Sequence, residues 1–376
     1  MQPPTAPPRD GLTQDQVVAL IQDAPALIVG RGVELLDLSL AVVDDLTPDF
    51  AGGRVERHSY ATLHGQAELV FSRPLDWGSA LVRPYLTLSD GALTARFNLG
   101  VYYTSTPETE LGEDLPTWTV TGYDILLILN DLVGESYAVA AGQPYLAVVE
   151  SILVERGVQG YVIDQAAADK VLPSARTWPI DENTTWLSIV NDLLGAVGYQ
   201  GAWSDWDGRI RCTPYANPRD RAPEWLYAVD DATSMLTSKR ALADDYFDAP
   251  NRWVAVRSNA VDGPAPVEGN GLWTYQNDAD GPTSVQARGR VITAPLLQLD
   301  VADQAALIAA AQQQIDADRR RRSTVTVGSS PNPLHWHFDR LSIADPAMGS
   351  ALLDVLGTSW TLPLDGGDMS HEWSTI

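Results

Sequence analysis

The sequence predicts a mainly β protein with an α+β insertion, in which two β-barrel domains flank a small α/β domain. Three observations predict it. Apolar residues alternate with period two from Val33 to Thr121, and again in several stretches after Arg252. Between them the segment NTTWLSIVNDLLGAVGYQGAWSDWDGRIRCTPY (183–215) reads as a threonine-capped amphipathic helix running into a hairpin with a tight Asp207-Gly208 turn. No part of the chain carries the spacing of an active site, which suits a building block better than a catalyst.

In chain order, residues 1–29 form a tail and a short helix. Met1 to Gly11 is proline-rich and is expected to order only against a neighbour; it lacks the basic and apolar regions of a secretory signal. Gln14–Asp23 has helical spacing, with Thr13 placed as N-cap. Residues 30–121 read as the first barrel, with strands at Val33–Val43, Ser59–Phe71, Leu81–Leu88, Ala92–Thr104 and Thr117–Thr121. Gly52-Gly53, Arg73-Pro74 and Asp90-Gly91 punctuate them.

Residues 122–225 form the inserted domain. Tyr123–Leu132 is apolar at helical spacing, Ser136–Ala140 is a short strand, and Gln143–Arg156 is an amphipathic helix stopped by Gly157. YVIDQ and RTWPID then lead in extended form to the helix and hairpin. Ala216–Ala232 is an acidic, proline-containing linker. Residues 226–376 read as the second barrel, with strands at Arg252–Arg257 and Val285–Ala294, and a helix from Val301 to Arg321. Five more strands follow at Ser323–Val327, Asp339–Ile343, Ala351–Leu356, Ser359–Leu364 and Met369–Ser374.

Composition bounds the function. A chain of 376 residues with 45% hydrophobic content, 12 Trp and 13 Tyr is globular and holds two or three cores. No run approaches the ~20 apolar residues of a membrane span. The single cysteine, Cys212, rules out an intrachain disulfide and multi-cysteine metal sites; in RIRCTPY it reads as a buried structural thiol in a reducing compartment. Only Lys170 and Lys239 are lysines among 25 basic residues, a bias of GC-rich coding sequence. The net charge of −24 disfavours nucleic-acid binding, which needs clustered cations. The one basic run, Arg319 to Arg322, ends a helix, where cations face the negative end of the dipole. An acidic wall would still let DNA pass without sticking.

Candidate chemistry is thin. His335, His337 and Asp339 in HWHFD would share one face of an extended segment and could hold a divalent metal, but the stretch also reads as a loop entering a strand. GxSxG, HExxH and GxxxxGK[ST] are absent. The acid pairs Asp44-Asp45, Asp230-Asp231 and Asp244-Asp245 could suggest a glycosidase. Trp178, Trp186, Trp203, Trp206, Trp253 and Trp273 could line a sugar groove; aromatics at strand and helix spacing more often fill cores. No cofactor and no metal is expected.

Several phrases carry a family resemblance. TWTVTGYDILLILND with ESYAVAAGQPYLAVVESILVERG, and then the helix–hairpin of 183–215, resemble the inserted domain of tail hub proteins of tailed bacteriophages. PNPLHWHFDRLSIADP and SWTLPLDGGDMSHEWSTI resemble the terminal barrel strands of minor tail proteins from siphophages of GC-rich actinobacteria. Together the likeness spans most of residues 30–376, as an order of local phrases without an invariant catalytic motif. It implies a non-enzymatic virion protein: a homotrimeric hub at the tail tip, synthesised and assembled in the host cytoplasm. Its partners would be the distal tail protein, the tape-measure protein and tip or fibre proteins, with viral DNA as transient channel cargo. Some relatives carry a fused peptidase or lysin; none is expected after the last strands here.

The residues singled out are architectural. Trp118, Gly122, Tyr123 and Asp124 would fix the passage from first barrel to insert. Trp186, Tyr199, Trp203 and Gly208 would hold the helix–hairpin unit, and Trp360, Pro363, Gly366 and Trp373 would close the second barrel. The alternatives are a carbohydrate-binding surface module for host recognition or a cell-wall glycan hydrolase.

Overall fold

Alternating strands with one apolar face need a second layer, and here both β-rich stretches meet that need in a single sheet. The computed structural model describes residues 1–6, 9, 11–22, 27–74, 81–105, 108–110, 116–181, 183–229, 235–258, 266–320, 323–348 and 350–376. Helix α1 (Gln14–Gln22) opens with a reciprocal cap, in which Gln16 N donates to Thr13 Oγ1 and Thr13 N to Gln16 Oε1. Nine strands follow: β1 (Ile28–Leu36), β2 (Val42–Asp45), β3 (Phe50–His58), β4 (Gly65–Phe71), β5 (Leu81–Ser89), β6 (Thr94–Asn98), β7 (Tyr102–Thr104), β8 (Glu108–Glu110) and β9 (Thr117–Asp124).

The middle region holds β10 (Tyr137–Val139), α2 (Tyr145–Glu155), β11 (Tyr161–Ile163), β12 (Arg176–Trp178), α3 (Trp186–Ala196), β13 (Trp203–Ser204) and β14 (Ile210–Cys212). The rest comprises β15 (Trp225–Ala228), β16 (Leu236–Asp244), β17 (Arg252–Arg257), β18 (Val267–Glu268), β19 (Gly271–Gln276), α4 (Val285–Arg288), β20 (Leu297–Leu299) and α5 (Gln304–Arg320). It ends with β21 (Ser323–Ser329), β22 (Arg340–Asp345), β23 (Ser350–Pro363) and β24 (Met369–Thr375).

The mainly β expectation holds, as one 15-stranded sheet ordered β16-β21-β24-β23-β3-β4-β9-β7-β5-β1-β2, with β15, β22, β6 and β8 attached beside that path. The two β-rich stretches join where β3 pairs antiparallel with β23, from Ser359 opposite His58 to Pro363 opposite Arg54. Among the described residues the pairings close neither stretch into a barrel; the path ends at β2 and at β16. β17, β18, β19 and β20 form a separate four-stranded sheet, covered by α5 through Leu307, Ala311 and Ile315.

The middle region is built on α2 and α3. Thr185 caps α3 in a reciprocal box with Ser188, because a threonine hydroxyl and a serine three residues on satisfy each other's free N–H groups. Ile152, Leu153, Ile189 and Leu193 are buried in a core shared with Leu36, Leu81 and Val101 of the first β stretch. Each such side chain contributes about 1.5–3 kcal/mol, so α2 and α3 are fused to the sheet by apolar packing. A second core under the β3–β23 seam joins Val55, Leu69 and Phe71 to Trp360 and Leu362.

Several local expectations are corrected. Val285–Ala294 is not a strand: Ser284 caps the short helix α4, and Gly289 ends it. Tyr123–Leu132 is no α-helix; β9 runs on to Asp124, whose carboxylate caps a 3-10 turn over Ile125–Leu129. The linker Ala216–Ala232 contains β15, which pairs parallel with β22. Of Ser59–Phe71, Ser59–His64 is a turn and only Gly65–Phe71 is strand, as β4, while the two expected strands Ala351–Leu356 and Ser359–Leu364 are one, β23, with a bulge between Gly357 and Ser359. Ala232, Asp230, Asp231, Arg321 and Arg322 lie outside the described residues. Among the described residues no helix is long and apolar enough to cross a membrane.

Candidate functional site

Strand alternation aims Val55 and Arg57 of β3 at the same interior face, and Arg57 ends there as a buried guanidinium. Its Nη2 donates to the Ser204 carbonyl at 2.8 Å, and its Nη1 lies 3.4 Å from Asp124 Oδ2. Ser204 Oγ donates to the same carboxylate oxygen at 2.7 Å, while Leu126 N donates to Asp124 Oδ1 at 3.0 Å. The guanidinium also stacks over Trp336, 4.2 Å from the ring centre, and Trp336 Nε1 donates to the Ser204 carbonyl at 2.8 Å. Burial weakens the charged form of Arg57, and Asp124 opposes that effect. One polar knot thus ties β3, the end of β9, the β13–β14 hairpin and the loop before β22.

A second buried group adjoins it. The Met1 amine sits 2.6 Å from Asp339 Oδ1 and 3.2 Å from Glu224 Oε2. His335 Nδ1 contacts Asp339 Oδ2 at 2.8 Å, and its Nε2 meets the Tyr227 hydroxyl at 2.5 Å. Burial alone would raise the Asp339 carboxyl; the Met1 ammonium and His335 outweigh it and hold it well below the usual range. The expected common face of His335, His337 and Asp339 is not formed. Phe338 takes a positive φ of 51°, so the chain turns, and His337 instead stacks on Trp203 and lies 4.7 Å from His64. Among the described residues no group of three His, Cys, Asp or Glu side chains is placed to hold a metal. Burial, then Arg57, lowers His64 to about 3, and burial, then His64 and Arg57, lowers His337.

Beside these groups lies a cavity of about 610 Å³ between the Ser59–His64 turn, the hairpin residues 200–216, α5 and the 336–338 loop. Of the six tryptophans weighed as a sugar groove, only Trp203 and Trp206 line it. The acid pairs lie elsewhere: Asp44 and Asp45 on exposed β2, and Asp244 at the end of β16.

The free ends of the sheet differ in character. β2 is exposed throughout and offers Val42, Val43, Asp44 and Asp45. β16 is mostly exposed and offers Lys239 and Leu242. Of the two lysines, Lys170 pairs with Asp303 at 2.7 Å, whereas Lys239 has no ion-pair partner among the described residues.

The twelve architectural residues fall in several places. Asp124 and Trp360 converge on the knot, Trp360 by donating from Nε1 to the Trp336 carbonyl at 3.2 Å. Gly122 stands where a Cβ would approach Tyr102 Cβ to 2.8 Å, while Tyr123 is exposed and Trp118 lies opposite Phe71 in the sheet. Trp186 meets Tyr137 edge-on at 5.2 Å, and the Tyr199 hydroxyl donates to the Asp164 carbonyl at 2.8 Å. Trp203 lines the cavity; Gly208, at φ +82°, presses the hairpin turn against Val101. Pro363 lies opposite Arg54 at the seam, Gly366 occupies the exposed turn after β23, and Trp373 is buried beside Tyr227. The knot residues Arg57, Ser204 and Trp336 were not singled out; the inward parity of Arg57 with Val55 was the available signal.

No family model matches the sequence, and no curated protein matches it. Solved structures do. The tail protein from Neisseria meningitidis MC58 matches at TM-score 0.64 and 12% identity, over 92% of this chain and 96% of that one. The 43 kDa tail protein of prophage MuSo2 from Shewanella oneidensis matches at 0.62 and 11%, over 92% and 98%. Prophage tail protein gp18 from Listeria monocytogenes matches at 0.50 and 10%, over 91% and 94%. Identity this low speaks to architecture and not to activity: over almost its whole length the chain has a fold similar to that of prophage tail proteins.

Proposed function

We propose that the chain is a structural, non-enzymatic hub protein at the tip of a phage-type tail, acting as a homotrimer. In this reading the β stretches of 30–121 and 226–376 act as two barrel-like halves, and the insert of 122–225 hangs from them. Three copies form a pseudo-sixfold ring between the distal tail protein and the tip or fibre proteins. The ring surrounds a channel for tape-measure protein and then DNA, in a tail of the siphophage type from an actinobacterial host. The fold likeness to tail proteins supports a place in the virion tail.

The observation that carries the ring is the pair of open sheet ends. An unpaired strand edge templates pairing with another chain, and the two ends are unlike: β2 offers two valines and two aspartates, and β16 a largely polar face with Lys239, which has no ion-pair partner among the described residues. A contact between unlike patches is heterologous and closes into a ring under cyclic symmetry. In this reading the net charge of −24 suits an acidic inner wall, to which passing DNA would not stick.

Light scattering on the purified chain tests the ring. A trimer is expected; Lys239→Glu alone, or Asp44→Lys with Asp45→Lys, shifts it toward monomer, and the three changes together restore it. Quantitative mass spectrometry of tailed particles should give roughly three copies, as a single closed threefold ring requires. A wild-type chain that stays monomeric on concentration and is absent from particles would overturn the reading.

A further inference from the structure

We propose that the cavity between α5 and the β3–β4 turn is a binding site for a neutral oligosaccharide. Six of its lining residues carry aromatic rings — Tyr60, Trp203, Trp206, Tyr215, Trp336 and Phe338 — although such rings make up 8% of the chain. Trp336 is buried with Arg57 over its face and Trp206 is buried edge-on against it, so Tyr60, Trp203, Tyr215 and Phe338 are the rings left to meet the apolar C–H face of a pyranose. Three glutamines, Gln200, Gln313 and Gln314, share the lining. Each donates one internal hydrogen bond, to Thr213 Oγ1, the Tyr199 carbonyl and Asp318 Oδ1 respectively. Their carbonyl oxygens take none among the described residues and can accept from sugar hydroxyls.

The charges in the wall select for neutrality. Arg221 is spent on the Phe338 carbonyl at 2.6 Å and on Glu224. Glu224 is in turn held by the Met1 amine and the Arg340 N–H, at 3.2 and 3.0 Å. Among the described lining residues no free cation remains for a phosphate or uronate. Among the described residues the only lining carboxylate, Glu224, is already paired, and no second one stands beside it in the lining as the usual two-carboxylate cleavage of a glycosidic bond needs. Aromatic faces with neutral amide acceptors match an uncharged sugar, bound and not cleaved. The volume of about 610 Å³ lies within the usual range for small-ligand sites. A second cavity of about 560 Å³ shares Tyr60 and Ala317 with it, giving a longer chain room to continue.

This assignment does not depend on ring formation and is tested on the isolated chain. Calorimetric titration with chitotriose, maltotriose and cellotriose should show saturable binding to at least one, with Kd of about 1 mM or tighter. Ala317→Trp, which fills the shared wall, and Gln314→Ala, which removes one acceptor, should each weaken it at least tenfold while the thermal melt is unchanged. Three outcomes overturn the proposal: no saturable heat for any of the three sugars at about 10 mM, a concentration that would fill a millimolar site; binding that both variants leave unchanged; or capture of an aromatic, proline-rich peptide in place of the sugars.

Discussion

Replacing Asp124 by alanine should cost about 4 kcal/mol of stability, because it leaves the Arg57 charge buried without a counter-ion. Both side chains are almost fully enclosed, with exposures of 1% and 2%. At 3.4 Å and an effective dielectric of about 20, the direct attraction is about 5 kcal/mol. Breaking one partner of a buried pair costs about 3–5 kcal/mol in practice. Asp124 also caps the 3-10 turn, worth about 1 kcal/mol. Against this, Arg57 keeps the Ser204 carbonyl and the face of Trp336, which tempers the loss. Urea unfolding followed by tryptophan fluorescence measures the change as a shifted midpoint at constant slope. Arg57→Met should cost less, since the Asp124 carboxylate retains Ser204 and the Leu126 N–H. The double variant should fall short of the summed single losses by about 2 kcal/mol, in the range seen for coupled neighbours. A loss under about 1 kcal/mol for Asp124→Ala, or strict additivity in the cycle, would refute the coupling.

Acid should loosen the same region. His64 sits at about 3 in the fold against 6.5 unfolded, so the unfolded chain takes up a proton that the native one refuses. The associated stability is complete above pH 6.5 and falls as pH drops toward 3, by about 1.4 kcal/mol per unit, hence about 2.7 kcal/mol by pH 4.5. His337 and His371 shift in the same direction, and depressed carboxylates such as Asp339 add their own losses from about pH 5 downward. Urea midpoints at pH 7 and 4.5 should differ less in His64→Gln than in wild type; an equal drop would count against burial as the cause. Burial also pushes the Cys212 thiol up to about 12. A thiol reagent should therefore label the native chain at the rate of unfolding and the denatured chain at once, whereas rapid native labelling would show the hairpin strand to be open.

Local signals in the sequence were readable where one short segment decides the outcome. Thr13 and Thr185 cap helices because a hydroxyl within three residues of a free N–H needs no distant partner. The Asp207-Gly208 turn is set by a glycine at φ +82° that packs directly on Val101. What could not be read depends on residues far apart in the chain. The β3–β23 seam joins positions separated by about three hundred residues, and apolar alternation is the same whether a strand closes a barrel or extends a sheet. Trp225–Ala228 lies in a proline-rich stretch and became a strand only because β22 offers it an edge. VQARGRVITA has β-forming residues, but Ser284 and Gly289 set helix ends there, and local capping outweighed propensity. Arg57 escaped notice because an arginine at an inward parity looks like an exception until Asp124 and Ser204 are brought to it by the fold.

The position of that arginine explains why the seam is polar when apolar side chains would cost less to bury. In the antiparallel register of β3 and β23, Arg57 lies directly opposite Trp360, and Val55 opposite Leu362. A slip by one residue would turn the side chains of one strand to the other face. Two apolar strands could tolerate such a slip with modest loss. A slipped Arg57 would lose Asp124, Ser204 and the face of Trp336 together, and a buried charge without partners is among the costliest defects a core can hold. The knot therefore selects one register for the join between the two β stretches. It also makes that join conditional, because Ser204 belongs to β13 of the middle region and Trp336 to the loop before β22. The seam reaches full strength only when the β13–β14 hairpin has docked, so the middle region contributes to the integrity of the large sheet.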